Sequence, residues 1–150
     1  MKIISGLFRR TLIRTNKNLS YRPTKSLVRK SIFDSLRHFD FTSVCDLFSG
    51  TGIIGFESAS RGAESVTFVE NNYISMNLIK KNAKMLQGPN YNFFQKDVFK
   101  FLEHCPAYDL IYADPPYRTQ DLVFLVSLIL KHLNRNGIFF LECDKSQPPF

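Results

Sequence analysis

From residue 41 onward the chain alternates between two hydrophobic patterns. Short, densely apolar runs ("SVCDLF", "SVTFVE", "YNFFQ", "YDLIYAD" and "GIFFLEC") read as strands. Between them lie "IIGFESASRG", "YISMNLIKKNAKMLQG", "VFKFLEHC" and "DLVFLVSLILKHLNRNG", which read as helices, with Gly62, Gly88 and Gly137 where their C-terminal caps belong. Runs apolar along their whole length suit strands covered on both faces, so the alternation predicts an α/β fold, a doubly wound parallel sheet with helices on both sides. Ahead of it, "KIISG" and "RRTLIRT" predict two short strands paired around Gly6. In "KSLVRKSIFDSLRHF", Leu27, Val28, Ile32, Phe33 and Leu36 fall at helical spacing, with Thr24 as N-cap. The organisation expected is a hairpin and helix over residues 1–40 packed on a sheet domain over residues 41–150, with no linker and no internal repeat.

In an open parallel α/β sheet, ligands sit outside the carboxyl ends of the strands. Four acids stand at predicted strand ends: Asp46, Glu70, Asp97 and Asp114. Asp46 precedes a glycine turn, Gly50-x-Gly52-x-x-Gly55, with the spacing of a nucleotide-binding loop. Glu70 lies where a carboxylate accepts hydrogen bonds from both ribose hydroxyls. NAD and S-adenosylmethionine satisfy those features equally. Asp46 tilts the choice, because an acid is poorly matched to a pyrophosphate and well matched to a ligand carrying a sulfonium and an ammonium. Asp97 would accept from the adenine N6 amine, with Val98 or Phe99 packing the ring, and it equally suits the N-cap of the next helix.

The stronger signal is "ADPPY" at residues 113–117, directly after an apolar run. A nucleobase exocyclic amine is a weak nucleophile because its lone pair is delocalised into the ring. Asp114 can accept an N–H from such an amine, and the carbonyl of Pro115 can accept a second, held rigid by two consecutive prolines. Tyr117 offers a face on which the base stacks. A carboxylate of ordinary pKa, about 3.9, is too weak a base to ionise the neutral amine. The role of Asp114 is therefore to orient the amine and stabilise developing charge.

Charge adds a partner. Residues 1–40 carry ten Lys and Arg against Asp34 and Asp40, whereas residues 41–150 carry the other ten against eleven acids. The whole formal excess of +7 therefore lies in the N-terminal quarter. A basic arm on a near-neutral domain points to a polyanion, with Arg9, Arg10, Arg14, Lys17, Arg22 and Lys25 as phosphate contacts. No run approaches the ~20 apolar residues of a membrane helix, and the N-terminus lacks a signal-peptide core. Cys45, Cys105 and Cys143 are too widely spaced for a disulfide framework or a zinc site; burial and a reducing, cytoplasmic setting are expected. The three histidines show no ligand spacing, and no metal is expected.

In "KIISG", "RPT" at 22–24, "VR" at 28–29, "DLFSGTG", "SRGA" at 60–63, "VTFVE" and "DPPY", the chain resembles the RsmD-type guanine-N2 methyltransferases of small-subunit ribosomal RNA, from residue 2 to about residue 143. The resemblance implies S-adenosylmethionine as donor, held by Asp46, Gly50, Gly52, Glu70 and Asp97. It also implies Asp114 and Tyr117 at the target and a loop guanine of 16S rRNA within the small subunit. A monomer is expected. Lys30 departs from the Glu usual after the "VR" arginine. Family members continue for roughly thirty residues past "LECDKSQPPF", so a truncated chain lacking the last strands, with Phe139, Phe140 and Leu141 on an open edge, is expected.

Three rivals share parts of the pattern. An adenine-N6 DNA methyltransferase uses the same motifs but needs room for a target-recognition domain. A non-catalytic RNA-binding or ribosome-assembly factor would have no use for an intact DPPY. A dehydrogenase lacks a hydride-site His or Lys at the strand ends. Methyl transfer to RNA is the expected activity.

Overall fold

The computed structural model describes residues 1–17, 26–116 and 121–144. Its elements, in chain order, are α1 (Ser26–Ser35), β1 (Ser43–Leu47), α2 (Ile53–Ser60), β2 (Ser65–Val69), α3 (Tyr73–Met85), β3 (Asn90–Phe94), α4 (Val98–Phe101), β4 (Tyr108–Ala113), α5 (Leu122–Leu130) and β5 (Leu133–Leu141). The strands form one parallel sheet in the order β3-β2-β1-β4-β5. The chain winds outward from β1 to β3, then returns to start again at β4, so β1 and β4 flank the switch point where α/β sheets hold ligands.

Successive side chains of a strand point to opposite faces, and the two cores follow from that. Val44, Val66, Phe68 and Leu110 pack beneath α1, α2 and α3, together with Ile3 and Ile13 of the N-terminal arm. Cys45, Leu47, Val69, Ile111 and Ala113 pack beneath α4 and α5. Register then fixes the carboxyl edge. Leu47, Val69, Phe94, Ala113 and Leu141 lie in one row across the sheet, so the residues after them leave by the same edge.

The arm folds as a hairpin closed by a single antiparallel bridge, Lys2 with Leu12, rather than by two paired strands. The donors that would lengthen the ladder go to α2 instead. Ile4 N–H donates to Glu57 Oε2 at 2.9 Å, Ser5 N–H to Glu57 Oε1 at 3.1 Å, and Phe8 N–H to Ser60 Oγ at 2.8 Å. Gly6, at φ 88°, sits so close to α2 that a Cβ there would lie 2.0 Å from the Ser60 carbonyl oxygen. Glu57 is fully buried, and Arg61 Nε completes its shell at 3.0 Å. A buried carboxylate is tolerated only with such a set of donors.

Several expectations need correction. α5 ends at Leu130, and the chain enters β5 at Leu133, so the helix does not run to residue 137. Tertiary pairing decides this: Tyr108 N–H donates to the His132 carbonyl, Tyr108 pairs with Leu133, and a bulge follows before Leu110 pairs with Ile138. Gly137 is therefore inside a bulged strand, not a helix cap, next to Asn136 at φ 63°. α4 is a single turn ending at Phe101 rather than a helix to residue 105. Of the cysteines only Cys45 is buried; Cys105 is half-buried and Cys143 exposed. Thr24 lies outside the described residues, as do Arg22, Lys25 and Tyr117.

Candidate active site

The loop after β1 is built from backbone outward. Gly50 and Gly52 both take left-handed conformations, at φ 57° and 79°. Gly55, on the first turn of α2, lies so near β2 that a Cβ would sit 2.3 Å from a ring carbon of Phe68. The third glycine thus exists for close helix–strand packing, which brings the N-terminus of α2 down onto the end of β1. Ser49, between the first acid and the glycines, laces β1 to β2: its Oγ donates to the Asp46 carbonyl at 2.6 Å and accepts from Val69 N–H at 3.1 Å.

Asp46 is 1 % exposed, and its Oδ2 accepts from Gly55 N–H at 3.1 Å. Burial pushes its carboxyl well above the usual range, the Gly55 bond opposes that, and the charges of Glu70 and Asp114 push it further up. Those couplings mean that three acids drawn from β1, β2 and β4 share one field at one edge. Glu70 is half-buried; Oε1 accepts from Gly50 N–H at 2.8 Å and Oε2 from Asn72 N–H at 2.7 Å. The carboxylate is thereby locked beside the glycine turn. Among the described residues, no Lys or Arg pairs with Asp46 or Glu70.

Asp97 is exposed and caps α4, its Oδ1 accepting from Phe99 N–H at 2.9 Å and Lys100 N–H at 3.3 Å. Val98 is directed into the core beneath the sheet, while Phe99 is half-buried and stacks on Phe124 with centroids 6.1 Å apart. Asp114 is half-buried and Pro115 buried at the end of β4, directly beyond Ala113. On the arm, Arg9, Arg10, Arg14 and Lys17 are all exposed, away from the row of acids in sequence but held to α2 and α3 by the hairpin.

A fifth strand-end acid was not singled out from sequence. Glu142 follows β5; its N–H donates to the Ala113 carbonyl at 2.9 Å, and its Oε2 accepts from the Tyr112 hydroxyl at 2.5 Å. It fixes the strand immediately ahead of Asp114. The strand-end rule that picked out the other four acids would have found it had it been carried through "GIFFLEC".

The site suits a cationic, nucleoside-bearing ligand. Asp46 and Glu70 have no cationic partner among the described residues, so an anionic pyrophosphate would raise an already unfavourable potential there, whereas a sulfonium and an ammonium would relieve it. Among the described residues, no helix is long and apolar enough to cross a membrane.

Comparison with known proteins gives a consistent family. The model of the family described as conserved hypothetical protein 95 matches residues 1–150. The chain is 31% identical over 156 residues to ribosomal RNA small subunit methyltransferase D of Haemophilus influenzae, covering 99% of this chain and 81% of that protein. It is 31% identical to the putative rRNA methyltransferase YlbH of Bacillus subtilis, covering 97% and 83%. Among solved structures, the putative methyltransferase yhhF from Escherichia coli superposes with a TM-score of 0.88 at 25% identity, over 100% of this chain and 84% of that one. The putative methyltransferase SMU.776, solved in complex with SAH, gives a TM-score of 0.61 at 26% identity over 67% of this chain and 30% of that one.

Proposed function

The chain belongs to the RsmD family, whose model is described as conserved hypothetical protein 95, and from that premise we propose that it transfers a methyl group from S-adenosylmethionine to the exocyclic N2 amine of a loop guanine in small-subunit rRNA. The observation that carries the reading is the convergence of Asp46, Glu70 and Asp114 on one sheet edge around a glycine turn. S-adenosylmethionine supplies there an electrophilic methyl on a sulfonium. Glu70 holds the ribose hydroxyls, Asp46 faces the cationic end, Gly50 and Gly52 let the backbone approach the ligand, and Asp97 with the start of α4 borders the adenine.

The remaining task is to present a poor nucleophile. Asp114 accepts one N–H of the guanine amine and the Pro115 carbonyl accepts the other, which aims the nitrogen lone pair at the methyl. Tyr117 stacks on the base. The amine's proton leaves late, to water, because an aspartate is too weak a base to remove it first. Pre-oriented acceptors of this kind contribute on the order of 10²–10³ in rate. The basic arm grips phosphates on either side of the target, which is best reached in a loop where the base can be splayed out. We place the substrate in the small subunit and the enzyme in the cytoplasm as a monomer without a metal.

The test is transfer of labelled methyl to small subunits, naked 16S rRNA and duplex DNA in parallel, with the modified nucleoside identified by mass. N2-methylguanosine in the rRNA is the expected product; N6-methyladenine in the DNA would overturn the assignment.

A further inference from the structure

The end of the arm and α3 line a cleft of about 340 Å³. Its walls are the Thr15–Lys17 segment on one side and Ile74, Asn77, Leu78 and Lys81 of α3 on the other. That volume lies at the small end of ligand-sized pockets, which run from roughly 300 to 1,000 Å³. It accommodates one nucleotide and is too small for the side of a duplex.

One buried side chain pins the arm to α3 beside the cleft. Asn82, fully buried on α3, accepts from Arg14 N–H at 2.9 Å and donates to the Arg14 carbonyl at 3.0 Å, in the manner of a strand neighbour. This reciprocal pair sets the height of the arm over α3 immediately before Thr15. Above it, Lys17 and Lys81 face the same space, and neither meets a carboxylate within ion-pair distance among the described residues. The Asn77 side chain, also on the wall, makes no hydrogen bond among the described residues. Ile74 is 44% exposed although it is a large apolar residue, and with Leu78 it gives the cleft an apolar wall. Two ammonium groups and one amide, each without a partner among the described residues, and an apolar wall make the chemistry of a phosphate, a base edge and a ring face, respectively.

Position completes the case. α3 begins three residues after Glu70, at the ligand edge, and the cleft covers its first two turns and more. A strand lying along the hairpin would pass over it on its way to that edge.

Resting on the RNA-methylation reading above, we propose that the cleft between Thr15–Lys17 and α3 seats one unpaired nucleotide of the substrate RNA strand, with its phosphate between Lys17 and Lys81. The cleft is a second anchoring point besides the target base. It takes a nucleotide as part of a chain, since the exposed lysines give it little hold on a free mononucleotide.

The experiment measures binding of a fluorescently labelled single-stranded RNA oligonucleotide to the full chain across a salt series. Wild type, Lys81→Ala and Lys131→Ala are compared, the last removing the same charge from the opposite face of the sheet. SAH binding is measured on each by calorimetry, and GMP is tested as a competitor. Lys81→Ala is expected to weaken RNA binding about threefold to tenfold and to reduce the salt slope by about 0.7, the loss of one single-strand phosphate contact. Lys131→Ala should match wild type, and SAH affinity should be the same in all three. Equal affinity and slope for Lys81→Ala and Lys131→Ala would overturn the cleft while leaving the RNA reading standing. Displacement of the oligonucleotide by GMP at comparable concentration would overturn the assignment to a chain. Wild type that binds SAH but no RNA would overturn the RNA reading itself, and the cleft with it.

Discussion

The two edges of the sheet treat their aspartates in opposite ways. At the amino edge, Asp109 is the half-buried second residue of β4, between buried Tyr108 and buried Leu110. Partial desolvation pushes its carboxyl up, but the Asn134 amide at 2.9 Å, the Thr42 hydroxyl at 2.8 Å and the N–H groups of Thr42 and Ser43 bring it down to about 2. At the carboxyl edge, Asp46 has a single backbone donor, near-complete burial and two acidic neighbours, and its carboxyl is held well above the usual range. Asp109 is satisfied by the protein and ties β1, β4 and the β5 bulge together. Asp46 is left unfavourable by the protein alone. Strained groups of this kind cluster where a ligand can relieve them, so the difference separates an acid that stabilises the fold from the one proposed to face the cofactor.

Substitutions break this contrast to different degrees. The largest effect is expected at Asp114→Ala, which should lower methyl-transfer turnover by about 10³-fold while SAH affinity stays within a few-fold. Single-turnover kinetics alongside calorimetry measure both quantities, and normal turnover would remove Asp114 from the reaction. The hairpin is held to α2 and α3. Arg9→Ala combined with Arg10→Ala should weaken RNA binding by about tenfold or more and flatten its salt dependence with SAH affinity unchanged. Equal loss of both ligands would make the arm a purely structural element.

A smaller, conditional effect is expected from pH. Asp109 has a lowered folded-state pKa, so its stabilisation is complete above the ordinary value of 3.8 and is lost as pH falls toward about 2. Asp109→Ala should therefore cost about 1–2 kcal/mol near neutrality, discounted for its solvent exposure, and next to nothing near pH 2. Asp46 has a raised folded-state pKa, so the sign reverses: any advantage is complete below 3.8 and is lost as pH rises through the raised value. Without ligand, Asp46→Asn should unfold at a higher temperature than wild type, by a margin that grows with pH above about 4. Thermal unfolding of both variants between pH 2 and pH 8 checks the two slopes.

The sheet and the edge shared by the strand-end acids were legible because both rest on local pattern. Runs such as "SVCDL" and "YDLIYA" are mostly apolar without alternating, as suits strands covered on two faces, and strand ends in a parallel sheet share an edge. The glycine turn and Glu70 were legible for the same reason, since backbone geometry demands those residue types at that spacing. What stayed hidden depends on partners distant in sequence. "NRNG" reads as a helix end, yet pairing of Leu133 with Tyr108 draws it into a bulged strand. Glu57 looks like one more polar residue on α2, and only the folded arm shows it accepting two backbone N–H groups from residues more than fifty positions away. Asn82 likewise carries no signal until Arg14 is laid across it.

Calorimetric titration of SAH into wild type, Asp46→Asn and Asp109→Asn tests the distinction between the edges most directly. Wild type and Asp109→Asn should bind alike, and Asp46→Asn should bind at least tenfold more weakly, a difference of about 1.4 kcal/mol. Equal affinity in all three, or equal loss in both variants, would contradict the assignment of the carboxyl edge as the cofactor site.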